Sequence, residues 1–243
     1  MYNNIAITLI GTLVCSCGTS LGAVLATSFK KSNNVIMSSI IAIAGGLMLS
    51  IVTFDLIPEA ILKGGLFTAL IGVIIGVVFV TIVDLILPKT IMFKSAESNV
   101  KTGLILAVGL AAHNFPEGLA IGSGFIGAVS LGIELVIVIG LHDIPEGAAV
   151  AACFMSTKLS RMKIIMITAV TALPTALGAY VGAAVGEVSS VFITICLGFA
   201  AGTMLYIVCG ELIPQSKNLS KGVFSTISII IGVILGLLIT AAI

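Results

Sequence analysis

The sequence predicts an all-α polytopic membrane protein of eight transmembrane helices with inverted internal repeats, and three observations carry that class. Hydrophobic residues make up 59% of the 243 and charged residues 9%, with a mean hydropathy of +1.30, which leaves too little polar surface to cover a soluble globule. The apolar runs are continuous, not alternating, which selects helices over a barrel. Pro, Gly and charged residues divide the chain into eight runs near the roughly 20 residues a crossing needs: 5–28, 35–62, 66–88, 102–124, 131–155, 163–186, 189–214 and 222–242. We read 1–243 as a single transmembrane domain.

The basic residues supply a topology, because Lys and Arg beside spanning helices stay cytoplasmic. Lys30, Lys31, Lys89, Lys94, Lys101, Lys158, Arg161, Lys163, Lys217 and Lys221 all fall in alternate loops, and Lys63 alone lies on the other side. The pattern puts both termini outside the cell membrane, and a miscounted helix would scramble it. Met1-Tyr2-Asn3-Asn4 lacks the basic start of a secretory signal, so the first run reads as a retained helix. No nucleic-acid partner is expected.

In the first run, Gly11, Gly18 and Gly22 permit close helix packing. Cys15, Cys17, Cys153, Cys196 and Cys209 all lie in apolar segments, where cysteine usually behaves as a small hydrophobe. Soft metal ligation by Cys15 and Cys17 is the lesser reading, since residues two apart point to different helix faces.

The second run ends Met48-Leu49-Ser50-Ile51-Val52-Thr53-Phe54-Asp55-Leu56-Ile57-Pro58-Glu59. Asp55 and Glu59 read either as an external cation-collecting pair or as interfacial carboxylates in water. The seventh run repeats the phrase in register as Met204 to Gln215, at an offset of 156 residues with Glu211 in the place of Asp55. These two helices cross in opposite directions, so the repeats are inverted, as in many secondary transporters. Asp55 then marks an outer mouth and Glu211 an inner one. Asp84, near the end of the third run, reads as a helix-end carboxylate facing water or paired with lysine.

The fourth and fifth runs carry His113-Asn114-Phe115-Pro116-Glu117-Gly118 and His142-Asp143-Ile144-Pro145-Glu146-Gly147, which hold the chain's two histidines. On a helix, His113 and Asn114 both neighbour Glu117, and the second phrase offers the same layout. A short outer loop around Gly127 to Ser130 makes the two helices antiparallel neighbours, which brings both phrases to mid-depth. If they face each other, the glutamates can bridge two adjacent cations.

A lone intramembrane histidine is more often a hydrogen-bonded core residue, but two matched copies argue for function. An ionised carboxylate at the bilayer centre costs roughly 3 kcal/mol on insertion scales, and Glu117, Asp143 and Glu146 have no Lys or Arg at that depth to offset it. A cation from outside the chain would do so, and imidazole with carboxylate suits zinc and other first-row divalent ions. Pro116 and Pro145 free the carbonyls of Ala112 and Leu141 beside the histidines, which a helix lining a wet cavity tolerates. In the sixth run, Leu173-Pro174 precedes a Gly178, Tyr180, Gly182, Gly186 packing stripe. The eighth, with Gly232 and Gly236, reads as structural, with a dimer contact as the alternative.

On these residues the sequence resembles the ZIP family of divalent metal transporters, most closely its bacterial members. The resemblance implies one metal position held by His113, Glu117, His142 and Glu146 with Met48 nearby, and a second held by Asn114, Glu117, Asp143 and Glu146. It also implies zinc as the default substrate, with iron, manganese and cadmium as others and no separate cofactor. Homodimers in the lipid bilayer, and an elevator-like motion of helices one, four, five and six against two, three, seven and eight, are implied too. Two departures from the family pattern stand out: Leu173 where many members place a glutamate, and no histidine in the loop between the third and fourth helices.

The residues therefore predict metal uptake toward the cytoplasm. A membrane metalloenzyme is the rival from another class, against which stand the two histidines and the absence of a His-Glu-x-x-His segment. A proton or organic-ion transporter using the same carboxylates is a second rival, and it predicts no bound metal.

Overall fold

The computed structural model describes residues 3–29, 34–86, 98–155, 157–185, 189–220 and 222–242, with the side chains of His142 and a few other helical residues outside that description. The Lys89–Lys101 connector, apart from the start of its following helix, lies outside it too, as do Lys30, Lys31 and Lys221. Among the described residues all regular structure is helical, and eight helical spans are long and apolar enough to cross a membrane.

These spans are α1 (Asn4–Ser28); α2 (Asn34–Ile51) continuing through a π-turn at Val52–Leu56 into α3 (Ile57–Gly64); α4 (Leu66–Ile86); α5 (Ser98–Gly127); and α6 (Val129–Met155). There follow α7 (Arg161–Val170) with α8 (Leu173–Val185), α9 (Ser190–Ile207) running through a second π-turn at Val208–Leu212 into α10 (Ile213–Leu219), and α11 (Val223–Ala242). The eight expected runs are all present. Only Ala128 separates α5 from α6, tighter than the expected loop, and both helices pass through Pro116 and Pro145 as continuous α-helix.

The pronounced irregularities fall elsewhere, and they fall in pairs. Ile57 N–H bonds to the Val52 carbonyl five residues back, and Ile213 N–H to that of Val208. In each case a proline follows at once, Pro58 and Pro214. Proline has no N–H to continue the ordinary ladder, and the wider turn absorbs one extra residue. Asp55 and Glu211 sit within these two turns, so the repeat read from sequence is also a repeat of backbone geometry.

The helices pack as two bundles. α1 lies against α6 and α8, and α5 against α6 and α8; separately, α2 lies against α11 and α10, and α9 against α4 and α3. The bundles meet where α5 contacts α9 and α2 contacts α6. That division separates the first, fourth, fifth and sixth spans from the second, third, seventh and eighth.

Backbone approaches show that the repeat extends beyond the second and seventh spans, to the first with the sixth and the third with the eighth. A Cβ on Gly22 would collide with the Ile144 carbonyl, and one on Gly178 with that of Phe115. Likewise Gly46 meets Ile229 while Gly202 meets Val73, and Gly76 meets Phe199 while Gly232 meets Ile43. Every glycine and its counterpart are 156 residues apart. Without a hydrophobic drive between helices in lipid, such backbone approach is a main source of packing. Gly232 and Gly236 are thereby used against α2, at Ile43 and Ser50, which removes them as a free stripe for a dimer contact.

Candidate metal centre

The two phrases meet inside the first bundle. His113, Asn114 and Asp143 are fully buried, Glu146 is 1% exposed and Glu117 5%. His113 Nε2 lies 3.0 Å from Glu117 Oε1 on its own helix and 3.7 Å from Glu146 Oε1 on α6. One imidazole thus stands between carboxylates of two neighbouring spans, and a buried carboxylate is expected to be held by such a partner or by a cation. The side chain of His142 lies outside the described residues. Among those described, no three His, Cys, Asp or Glu side chains form a ready cage for a metal ion.

The glycines that end each phrase bring the helices into contact. A Cβ at Gly118 would strike the Thr175 carbonyl, and one at Gly147 the Thr19 carbonyl. The phrase therefore combines two tasks: polar residues on one face and a backbone-close seat for α8 or α1 on another.

Thr171 and Thr175 escaped the sequence reading, and Cys15 entered it only as the lesser reading of a soft metal ligand. Asn114 donates through Nδ2 to the Thr171 carbonyl at 2.7 Å, at the turn that joins α7 to α8. Thr175 is fully buried, and its Oγ1 makes no hydrogen bond of standard geometry, lying instead against the Cys15 thiol. Cys15, also fully buried, meets the Asp143 side chain as well and is near Glu117. The signal that could have found them is the same offset of 156, which pairs Cys15 with Thr171 and Thr19 with Thr175.

Leu173 requires correction. It is 56% exposed, so it points away from the polar cluster, and the residue that α8 turns inward is Thr175. A leucine at position 173 therefore takes nothing from the site. A turn at Thr171–Ala172 separates α7 from α8, which begins at Leu173.

Met48 is 1% exposed, within the large apolar cluster that α2, α5, α6 and α9 share, and its repeat partner Met204 lies in the same cluster. Asp55 and Glu211 are both half-buried. Glu59 is held by Lys63 at 2.9 Å, with both side chains more than 40% exposed, which fits the reading of Glu59 as an interfacial carboxylate. Asp84 accepts a hydrogen bond from the Tyr206 hydroxyl at 2.7 Å, a tyrosine where water or lysine was expected.

The ZIP Zinc transporter family matches residues 89–243. The zinc transporter ZupT of Chlorobium limicola is 30% identical over 247 aligned positions, covering 91% of this chain and 92% of its own. ZupT of Corynebacterium aurimucosum is 29% identical over 226 positions, 85% of each chain. The zinc transporter ZTP29 of Arabidopsis thaliana is 31% identical over 139 positions, 49% of each. With eight apolar helical spans, the doubled His-Pro-Glu-Gly phrase on adjacent helices and a family match over more than half its length, the chain belongs to the ZIP family of metal transporters.

Proposed function

We propose that this protein carries zinc, with other divalent transition metals as further cargo, across the cell membrane toward the cytoplasm through the cluster on α5 and α6. The observation that carries the reading is the buried His113 imidazole set between Glu117 and Glu146. Neutral imidazole nitrogen and carboxylate oxygen are the donor set of zinc and its neighbours, whereas magnesium and calcium favour oxygen alone. The histidines therefore provide discrimination, and the glutamates provide charge.

The first position uses His113, Glu117, His142 and Glu146, with Met48 close by; the second uses Asn114, Asp143 and the same glutamates. Asp55 and Glu211, in equivalent π-turns at opposite ends of the repeat, mark the outer and inner mouths. The division into two bundles supports alternating access, with the bundle that holds the site moving against the other. The working protein is a homodimer with both termini outside. Because its family is one of transporters, carriage is preferred to the metalloenzyme alternative.

The test is zinc-65 uptake into proteoliposomes. His113→Ala and Glu117→Ala should each abolish it while the protein remains folded by its melting curve. Wild-type uptake in both folded variants would refute the assignment.

A further inference from the structure

The polar cluster is not built from α5 and α6 alone. α1 passes between α6 and α8, and Gly11, Cys15 and Gly18 fall on one face of it at helical spacing. Gly11 faces Ile121 and Ala179, where a Cβ would stand 3.3 Å and 3.7 Å away. At Gly18 a Cβ would come within 2.8 Å of the Asp143 Cβ. Between these two close seats the α1 face presents Cys15, whose thiol meets Asp143 and Thr175 with Glu117 nearby. All three of Cys15, Asp143 and Thr175 are fully buried.

Thr175 Oγ1, at this place, is unsatisfied by hydrogen bonds of standard geometry, as is Asn114 Oδ1 on α5. Asn114 is also fully buried, and a buried polar atom without a partner costs about 1–3 kcal/mol. The repeat makes the contrast sharper. Asn114 on α5 is anchored by the carbonyl of Thr171, whereas its counterpart on α6, Asp143, meets the thiol of Cys15, which occupies the position equivalent to Thr171. One half of the pair is tied to backbone, and the other faces a soft side-chain donor.

Resting on the reading of Asn114 and Asp143 as part of a metal pathway, we propose that Cys15 is a metal-binding residue. Its sulfur joins the Asp143 carboxylate, the Thr175 hydroxyl and Asn114 Oδ1 in a position for a thiophilic divalent cation. Sulfur donors favour zinc and cadmium, while an all-oxygen set suits magnesium, calcium and manganese. On coordination the metal–sulfur bond replaces the S–H bond, and the displaced proton leaves to water. Cys15 thereby tilts selectivity toward the softer ions, a task α5 and α6 do not perform alone.

The experiment uses the purified full chain titrated with cadmium, read by the sulfur-to-metal charge-transfer absorbance in the ultraviolet. The wild type and Cys17→Ser should show the band, and Cys15→Ser should lose it together with at least about tenfold of cadmium affinity, the scale of changes around a bound metal. Cys15→His should restore affinity without the band. A wild type that binds cadmium with no sulfur band overturns the proposal, and does so whether or not any variant folds. A band undiminished in folded Cys15→Ser overturns it too. If zinc uptake still depends on His113 and Glu117 in those cases, only the role of Cys15 falls. If the wild type binds neither zinc nor cadmium, the transport reading falls with it.

Discussion

His113 on α5 and Glu146 on α6 stand 3.7 Å apart, Nε2 to Oε1, at full burial. This contact joins two spanning helices at their polar faces, and Glu117 at 3.0 Å completes a carboxylate–imidazole–carboxylate row. If these groups are donors for a passing cation, Glu146→Gln keeps the shape and removes the charge. We expect it to weaken zinc binding by about tenfold or more, measured by calorimetric titration of the purified protein. Unchanged affinity would exclude Glu146 from the first position.

Leu173 is exposed while Thr175 is buried beside Cys15. Leu173→Glu is therefore expected to leave the bound-metal stoichiometry at the wild-type value, determined by elemental analysis of the purified protein. An added equivalent of metal would return position 173 to the site.

Glu59 and Lys63 form an ion pair with both side chains substantially exposed. Such pairs contribute about 0–1 kcal/mol. The double substitution Glu59→Gln with Lys63→Gln should leave both the melting temperature and zinc-65 uptake near wild type, whereas Asp55→Asn should lower uptake. Equal losses in the two would restore Glu59 to the entry path.

Gly22 and Gly178 occupy equivalent seats against the Ile144 and Phe115 carbonyls. Adding a side chain at either must push α1 from α6 or α8 from α5, at a cost of about 1–3 kcal/mol typical of overpacking. Gly22→Val and Gly178→Val should both lower the melting temperature in detergent. Gly210, whose nearest neighbours at 3.6 Å or more belong to the Tyr206 ring, should accept alanine with little change.

The expected spans were recognisable because membrane burial imposes a one-dimensional code of length and hydropathy that each run satisfies locally. The His-Pro-Glu-Gly phrases were legible for a similar reason: a helix places i and i+4 on one face whatever surrounds it. The π-turns were not read, although Ile57-Pro58 and Ile213-Pro214 lay in plain view. A proline in a helix can be absorbed as a kink, a break or a wider turn, and Pro116 and Pro145 pass through continuous helix. Which outcome prevails depends on the packing around it.

The sequence by itself determined the eight apolar spans, the offset of 156 that relates the second to the seventh, and the two polar faces of α5 and α6. Those follow from composition and from helical periodicity alone. Tertiary packing decided which residues of other helices reach those faces: Thr175 and not Leu173, Cys15 and not Cys17. Such choices rest on the rotation of each helix about its own axis. In lipid that rotation is set by which small residues let backbones approach, a relation between helices that no single apolar run contains.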